Sequence, residues 1–248
     1  MKKFLHSAKI FVWRLLPTRF TEPWKLADFS QFPFYAVLGC HSSGSSALAG
    51  ALCHLGVFLG DDLVGYHGKP PYYGGEAREL AFMLDADLPT TTLQHRWEPE
   101  IRKERLGNFI RYQCWRAKCL KTAAAAKFPQ LAACENELME LLGDRLRLII
   151  CDRPLEESIL SLQKRFPEEI PMQVAAHQKL IAGHIESLVK KVPAERVLRV
   201  EYTDLIHDIR PTVDRIAQFI RPEATEQERQ AAAAHIQPKL RHIVIDQN

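Results

Sequence analysis

Phe34-Tyr35-Ala36-Val37-Leu38-Gly39-Cys40-His41-Ser42-Ser43-Gly44-Ser45-Ser46 is the stretch that decides how this chain folds. Its first residues form an unbroken apolar and aromatic run, too short for a helix and closed by a glycine, which predicts a buried strand. Gly39 to Ser46 then shows the G-x-x-x-x-G-x-[ST] spacing of a P-loop. Beyond it, Leu48, Ala51, Leu52 and Leu55 recur at the spacing of a helix laid against a sheet, over 45–57. Strand, small-residue loop and helix in that order gather backbone N–H groups, a helix N-terminus and the hydroxyls of Ser42, Ser43, Ser45 and Ser46 around one point, a cradle for phosphate. The plainer reading of the same residues is a Ser/Gly turn between strand and helix. Ser45 stands where a nucleoside-triphosphate P-loop carries lysine, so the charge that reaches the β- and γ-phosphates is missing and ATP or GTP hydrolysis loses support.

Working outward, residues 60–75 are rich in Gly, Pro and Tyr and read as an irregular loop over a site. Helical patterns follow over 76–84, 98–114 and 123–142, the last including the alanine run 123–126. Leu146-Arg147-Leu148-Ile149-Ile150-Cys151 is the clearest second strand, and Pro154 opens a helix with Leu155, Ile159, Leu162 and Phe166 on one face. A helix over 174–192, a strand over 196–200 and a helix carrying Val213, Ile216, Ala217 and Ile220 complete the pattern. Alternating strands and helices predict an α/β fold: a single three-layer domain over 31–248, its central parallel sheet flanked by helices, preceded by an amphipathic helix and linker over 1–30.

Composition agrees. The chain has 248 residues, of which 46% are hydrophobic and 25% charged, which excludes disordered and fibrous classes. With 33 basic against 30 acidic residues, spread along the chain, nucleic acid is not an expected partner. The six cysteines lie in or beside apolar runs with no C-x-x-C pair, which fits core thiols in a reducing, cytoplasmic setting. In residues 1–20, Phe4, Leu5, Ala8, Phe11, Val12, Leu15 and Leu16 share a helical face and no acidic residue occurs, so peripheral membrane contact is one expectation and packing on the chain's own domain the other.

At these residues the sequence resembles the sulfotransferases that use 3′-phosphoadenosine-5′-phosphosulfate (PAPS). Their first strand ends in basic-Ser-Gly-Thr-[Ser/Thr], often followed by Leu-Ala-Gly and Leu-Gly-Val. This chain has Ser42-Ser43-Gly44-Ser45-Ser46, then Leu48-Ala49-Gly50 and Leu55-Gly56-Val57, with Ser42 at the family's basic position. Arg153, leaving a strand, and Ser161, eight residues on, resemble the family's 3′-phosphate site. Val200-Glu201-Tyr202-Thr203-Asp204-Leu205 is similar to its late strand and Tyr-Glu-Asp-Leu helix start, and Lys239 and Arg241 lie in a segment resembling a basic C-terminal closure over the nucleotide.

The resemblance implies sulfuryl transfer from PAPS to a hydroxyl or amine of a small-molecule or glycan acceptor, with PAPS as co-substrate and no metal. Such chemistry asks for a base, positive charge along the phosphosulfate and in-line positioning. Glu76 is the first candidate base, because Tyr72-Tyr73-Gly74-Gly75-Glu76 looks like the family's Gly-Tyr-Phe-Glu segment; the alternative is a first-turn glutamate complementing a helix dipole. His67 is the second. Lys121, in a segment resembling a family Lys-x-Pro with Ala123 at the proline position, is the candidate to supply the charge absent at Ser42, or else a lysine facing water. The alternatives in other classes are a P-loop nucleotide or small-molecule kinase and a catalytically silent binding protein of the same fold.

Overall fold

The computed structural model describes residues 28–29, 31–64, 75–88, 94–165 and 171–236. A parallel sheet of four strands organises them, in the order β4 (Ala124–Lys127), β1 (Phe34–Leu38), β5 (Leu146–Asp152), β6 (Val197–Glu201). Residues alternate across it with the period of a strand. Phe34, Ala36 and Leu38 of β1, with Leu146, Leu148 and Ile150 of β5, enter one core; Tyr35 and Val37, with Ile149 and Cys151, enter the other. Both faces are covered, which is why β1 and β5 read as continuous apolar runs.

The second core is closed by α1 (Ser45–His54) and, later in the chain, by α7 (Tyr202–His207), α8 (Ile209–Ile220) and α9 (Glu226–His235). The first lies under α2 (Arg78–Asp87), α3 (Pro99–Leu120), α4 (Glu135–Leu142) and α6 (Pro171–Lys191). α5 (Leu155–Arg165) follows β5 directly and packs on α6. The three-layer α/β arrangement expected from the sequence is therefore present. Among the described residues no helix is long and apolar enough to cross a membrane. The segment 1–20 lies outside the described residues.

Two local expectations are corrected. The alanine run is not helical: Ala124 to Lys127 is strand β4, in register with β1 at Phe34↔Ala124 and Val37↔Lys127, followed by a 3-10 turn over Pro129–Cys134. Alanine favours helix by only a few tenths of a kcal/mol per residue over most others. Here Ala124, Ala125 and Ala126 are fully buried between two helical layers, and tertiary packing overrides that preference. Glu76, expected to begin a helix, lies in a two-residue strand, β3 (Glu76–Ala77), paired antiparallel with β2 (Leu63–Val64), and α2 starts two positions later. The ends of the 60–75 segment are thus a short ribbon; residues 65–74 lie outside the described residues.

Candidate active site

All four parallel strands end at the same edge, at Leu38, Lys127, Asp152 and Glu201, and the next residues of each strand form the site. Open α/β sheets bind ligands at this carboxyl edge.

The loop after β1 has its carbonyls turned into the protein. Cys40 O accepts from Ser43 N at 3.1 Å, and Gly44 O from the N–H groups of Ala47 and Leu48 at 3.0 and 3.2 Å. His41 O accepts from Gln178 Nε2 at 2.7 Å, Ser42 O from Arg153 Nη1 at 2.7 Å, and Ser43 O from Cys151 Sγ at 3.1 Å. Burial pushes the Cys151 thiol up to about 12, so it remains a proton donor. Ser42 and Gly44 take left-handed conformations, φ 62 and 94°. Carbonyls turned inward, with left-handed residues at Ser42 and Gly44, are the backbone pattern that turns free peptide N–H groups toward a common hollow, and Ser45 and Ser46 lie beside it at the N-terminus of α1. Such a loop has the backbone geometry to hold a phosphate.

Gly44 is required twice, by its φ and by space: a Cβ there would lie 2.5 Å from Tyr202 Cδ2. The ring of Tyr202, in the first position of α7, also lies under the guanidinium of Arg153, 4.4 Å from carbon to centroid. Arg153 is buried, its side chain 3% exposed, with Nε on Glu157 at 3.1 Å and Nη1 on the loop. Its Nη2 is buried with no hydrogen-bond partner, and so is Ser158 Oγ one turn into α5. One amino group of Arg153 therefore braces the loop and the other is left over.

Ser161 is buried as well. The inward face of α5 runs through Ser158, Ser161 and Leu162, whereas Leu155 and Ile159 are half-buried, so Ser161 lies on the packed face of the helix. Ser43 contributes the turn rather than a hydroxyl to the hollow: its Oγ is buried against Gly39, where a Cβ would meet it at 2.5 Å.

Positive charge reaches the loop from β4. Lys127 has the parity of Ala125, whose side chain faces the core under α1, and its Nζ stands 3.3 Å from Ser46 Oγ. The same ammonium is ion-paired with Glu76, and both side chains are largely buried, 4% and 13% exposed. Behind them Gln130 Nε2 bonds Asp85 Oδ1 at 3.3 Å, and burial, with the Glu76 charge second, holds the Asp85 carboxyl above its ordinary value.

Lys121 is not in this group. It is the left-handed C-cap of α3, exposed, and it precedes β4, so it sits at the opposite edge of the sheet. The charge is delivered by Lys127 because β4 must run its length before the chain reaches the loop. The signal was present in Lys127-Phe128-Pro129, a complete Lys-x-Pro six positions after Lys121. His67, Lys239 and Arg241 lie outside the described residues.

No protein-family profile matches the chain, and no curated protein sequence does. Solved structures do. The sulfotransferase domain of the Synechococcus PCC 7002 olefin synthase has a TM-score of 0.53 and 20% identity, covering 87% of this chain and 90% of its own. Sulfotransferase STF9 from Mycobacterium avium has a TM-score of 0.55 and 14% identity, covering 86% of this chain and 69% of its own. The sulfotransferase domain of the curacin biosynthetic pathway reaches 0.50 at 14% identity, covering 84% and 88%. With its four-stranded parallel sheet, its loop and its flanking helices, the chain has the sulfotransferase-type α/β fold.

Proposed function

We propose that the chain binds PAPS in the cradle after β1 and transfers its sulfuryl group to a hydroxyl or amine of a small-molecule or glycan acceptor. The observation that carries the nucleotide assignment is a buried, unpartnered donor beside the loop, Arg153 Nη2, whose sister amino group donates to Ser42 O. A buried donor without a partner costs about 1–3 kcal/mol, so a cationic one against the loop calls for an acceptor-rich ligand group. The 3′-phosphate of PAPS is such a group, and the loop N–H groups suit its 5′ end.

When bound, PAPS supplies an activated sulfuryl group whose departure leaves charge on the 5′-phosphate. Lys127 and Ser46 hold positive charge and a hydroxyl at the mouth of the cradle, where that charge develops. Lys127 thereby fills the role left empty at Ser42. Glu76 takes the acceptor's proton; its carboxylate is fixed by the Lys127 ammonium and reaches the site from β3, at the end of the segment expected to form a loop over the site. Gly44, Ser45 and Ser46 hold the phosphosulfate, and Ser161 supports the inward face of α5 from which Ser158 reaches the nucleotide. His67 as a second base, and Lys239 and Arg241 as a closing segment, complete the proposed site.

The test is formation of adenosine 3′,5′-bisphosphate from PAPS over a panel of alcohols, amines and sugars. Acceptor-dependent release that disappears in Lys127→Met supports the reading. Release independent of both the acceptor and Lys127 rejects it.

A further inference from the structure

Gln178, in the middle of α6, makes two hydrogen bonds to a single residue of the phosphate loop. His41 N donates to its Oε1 at 3.0 Å, and its Nε2 donates to His41 O at 2.7 Å. The side chain is completely buried, and 137 positions separate the partners. Cys40 Sγ points at Gln178 O at 3.7 Å, and the rings of His41 and His177 lie 5.2 Å apart, so two neighbouring loop residues are held against one turn of α6.

A carboxamide carries a donor and an acceptor side by side, so it can satisfy the N–H and the C=O of one residue at once, as a strand partner would. Fixing both groups of His41 sets the planes of the peptides on either side of it. Ser42 comes next, a non-glycine residue at φ 62°, a conformation that costs of order 1 kcal/mol and persists only where its surroundings impose it. Arg153 holds the carbonyl on the far side of Ser42. Ser42 is therefore gripped from both ends, by α6 and by the start of α5, and its N–H is aimed by those two grips.

We infer that Gln178 is a positioning residue for the anion cradle: it holds the loop in its binding conformation before any ligand arrives, and it couples the seat of α6 to nucleotide affinity. The inference rests on the PAPS reading only for the identity of the ligand. Preorganisation of this kind raises affinity by removing the ordering cost from the binding step.

The experiment compares wild type, Gln178→Ala and Gln178→Glu in two ways. Amide hydrogen exchange on the nucleotide-free protein reads the His41 N–H, and calorimetry with adenosine 3′,5′-bisphosphate reads affinity. In Gln178→Ala the His41 amide is expected to exchange faster while Ser43, bonded to Cys40 O, is less affected, with binding weakened about tenfold. Gln178→Glu carries the same shape but donates only when protonated, so its affinity is expected to recover as pH falls. Cys40, His41, His177 and Arg153 surround the loop in all three proteins, and Gln178→Ala, which keeps them, gives the pH baseline to subtract. Unchanged His41 exchange in a folded Gln178→Ala protein, or a Gln178→Glu profile parallel to that baseline, overturns the inference. If wild type fails to bind the nucleotide, the PAPS reading falls, and the exchange data alone decide whether Gln178 holds the loop. If Gln178→Ala does not fold, Gln178→Glu carries the test with wild type as its pH baseline, and a profile parallel to wild type overturns the inference.

Discussion

The ammonium of Lys127 stands 3.3 Å from the hydroxyl of Ser46, joining the end of strand β4 to the first turn of helix α1 across 81 positions of sequence. Two facts of strand geometry produce the contact. Val37↔Lys127 register brings the end of β4 level with the end of β1, and the alternation of side chains sends Lys127 to the face on which α1 lies. A lysine is thereby supplied to a loop that carries none of its own.

Lys127→Met is expected to abolish sulfuryl transfer and to destabilise the fold by about 3–5 kcal/mol, because it leaves the Glu76 carboxylate buried without its cation. Adding Glu76→Gln should restore much of the stability and none of the turnover. Lys121→Met, at the opposite edge of the sheet, should leave both near wild type. Thermal melting and an acceptor-dependent assay on the three proteins check these outcomes.

Gly44→Val should eliminate nucleotide binding. The new side chain meets the Tyr202 ring, and a β-branched residue is strained at φ 94°. Displacing Tyr202 also removes the face on which the Arg153 guanidinium rests. Calorimetry on folded Gly44→Val protein, with folding checked by circular dichroism, reads the result, and wild-type affinity would return the loop to a structural turn.

The pH dependence of stability has a definite sign. Burial, with the charge of His54 second, lowers His235 to about 4, and burial lowers His177 as well. A histidine whose folded value lies below its ordinary one binds its proton more readily in the unfolded chain. Stability is then full above pH about 6.5 and declines as pH falls toward about 4. The imidazole of His235 is packed directly over Gly50, leaving no room for a Cβ. Melting temperature should therefore fall between pH 7 and pH 4.5, and fall less in His235→Leu; an equal slope in the two proteins would remove His235 from the account.

β1, the loop and α1 were legible because each has a local cause: an unbroken apolar run, glycines at fixed positions, and leucines at helical spacing. β4 was not. Ala124 to Ala126 carry no β-branched or aromatic signal, and what makes them a strand is the pair of layers closing over them. Misreading β4 as helix hid Lys127, since a lysine after a helical alanine run reads as a solvated face. Arg153 and Ser161 could be named from the resemblance, but the rotation of α5 that buries Ser158 depends on how it packs against α6. Gln178 gave no sequence signal at all, because its partner His41 lies 137 positions away in the chain.

The most direct test of the nucleotide assignment is calorimetry of wild type and Arg153→Ala with adenosine 3′,5′-bisphosphate and with ADP. The two ligands differ in whether the second phosphate sits on the ribose 3′ position, where Arg153 Nη2 and Ser158 are assigned. Wild type should prefer the bisphosphate by roughly ten- to hundredfold, the value of a charge-assisted phosphate contact of about 1.5–3 kcal/mol. Arg153→Ala should lose that preference even if the weakened loop lowers affinity for both ligands. Equal binding of the two ligands by wild type, or a preference that survives in Arg153→Ala, would contradict the assignment of a 3′-phosphate site.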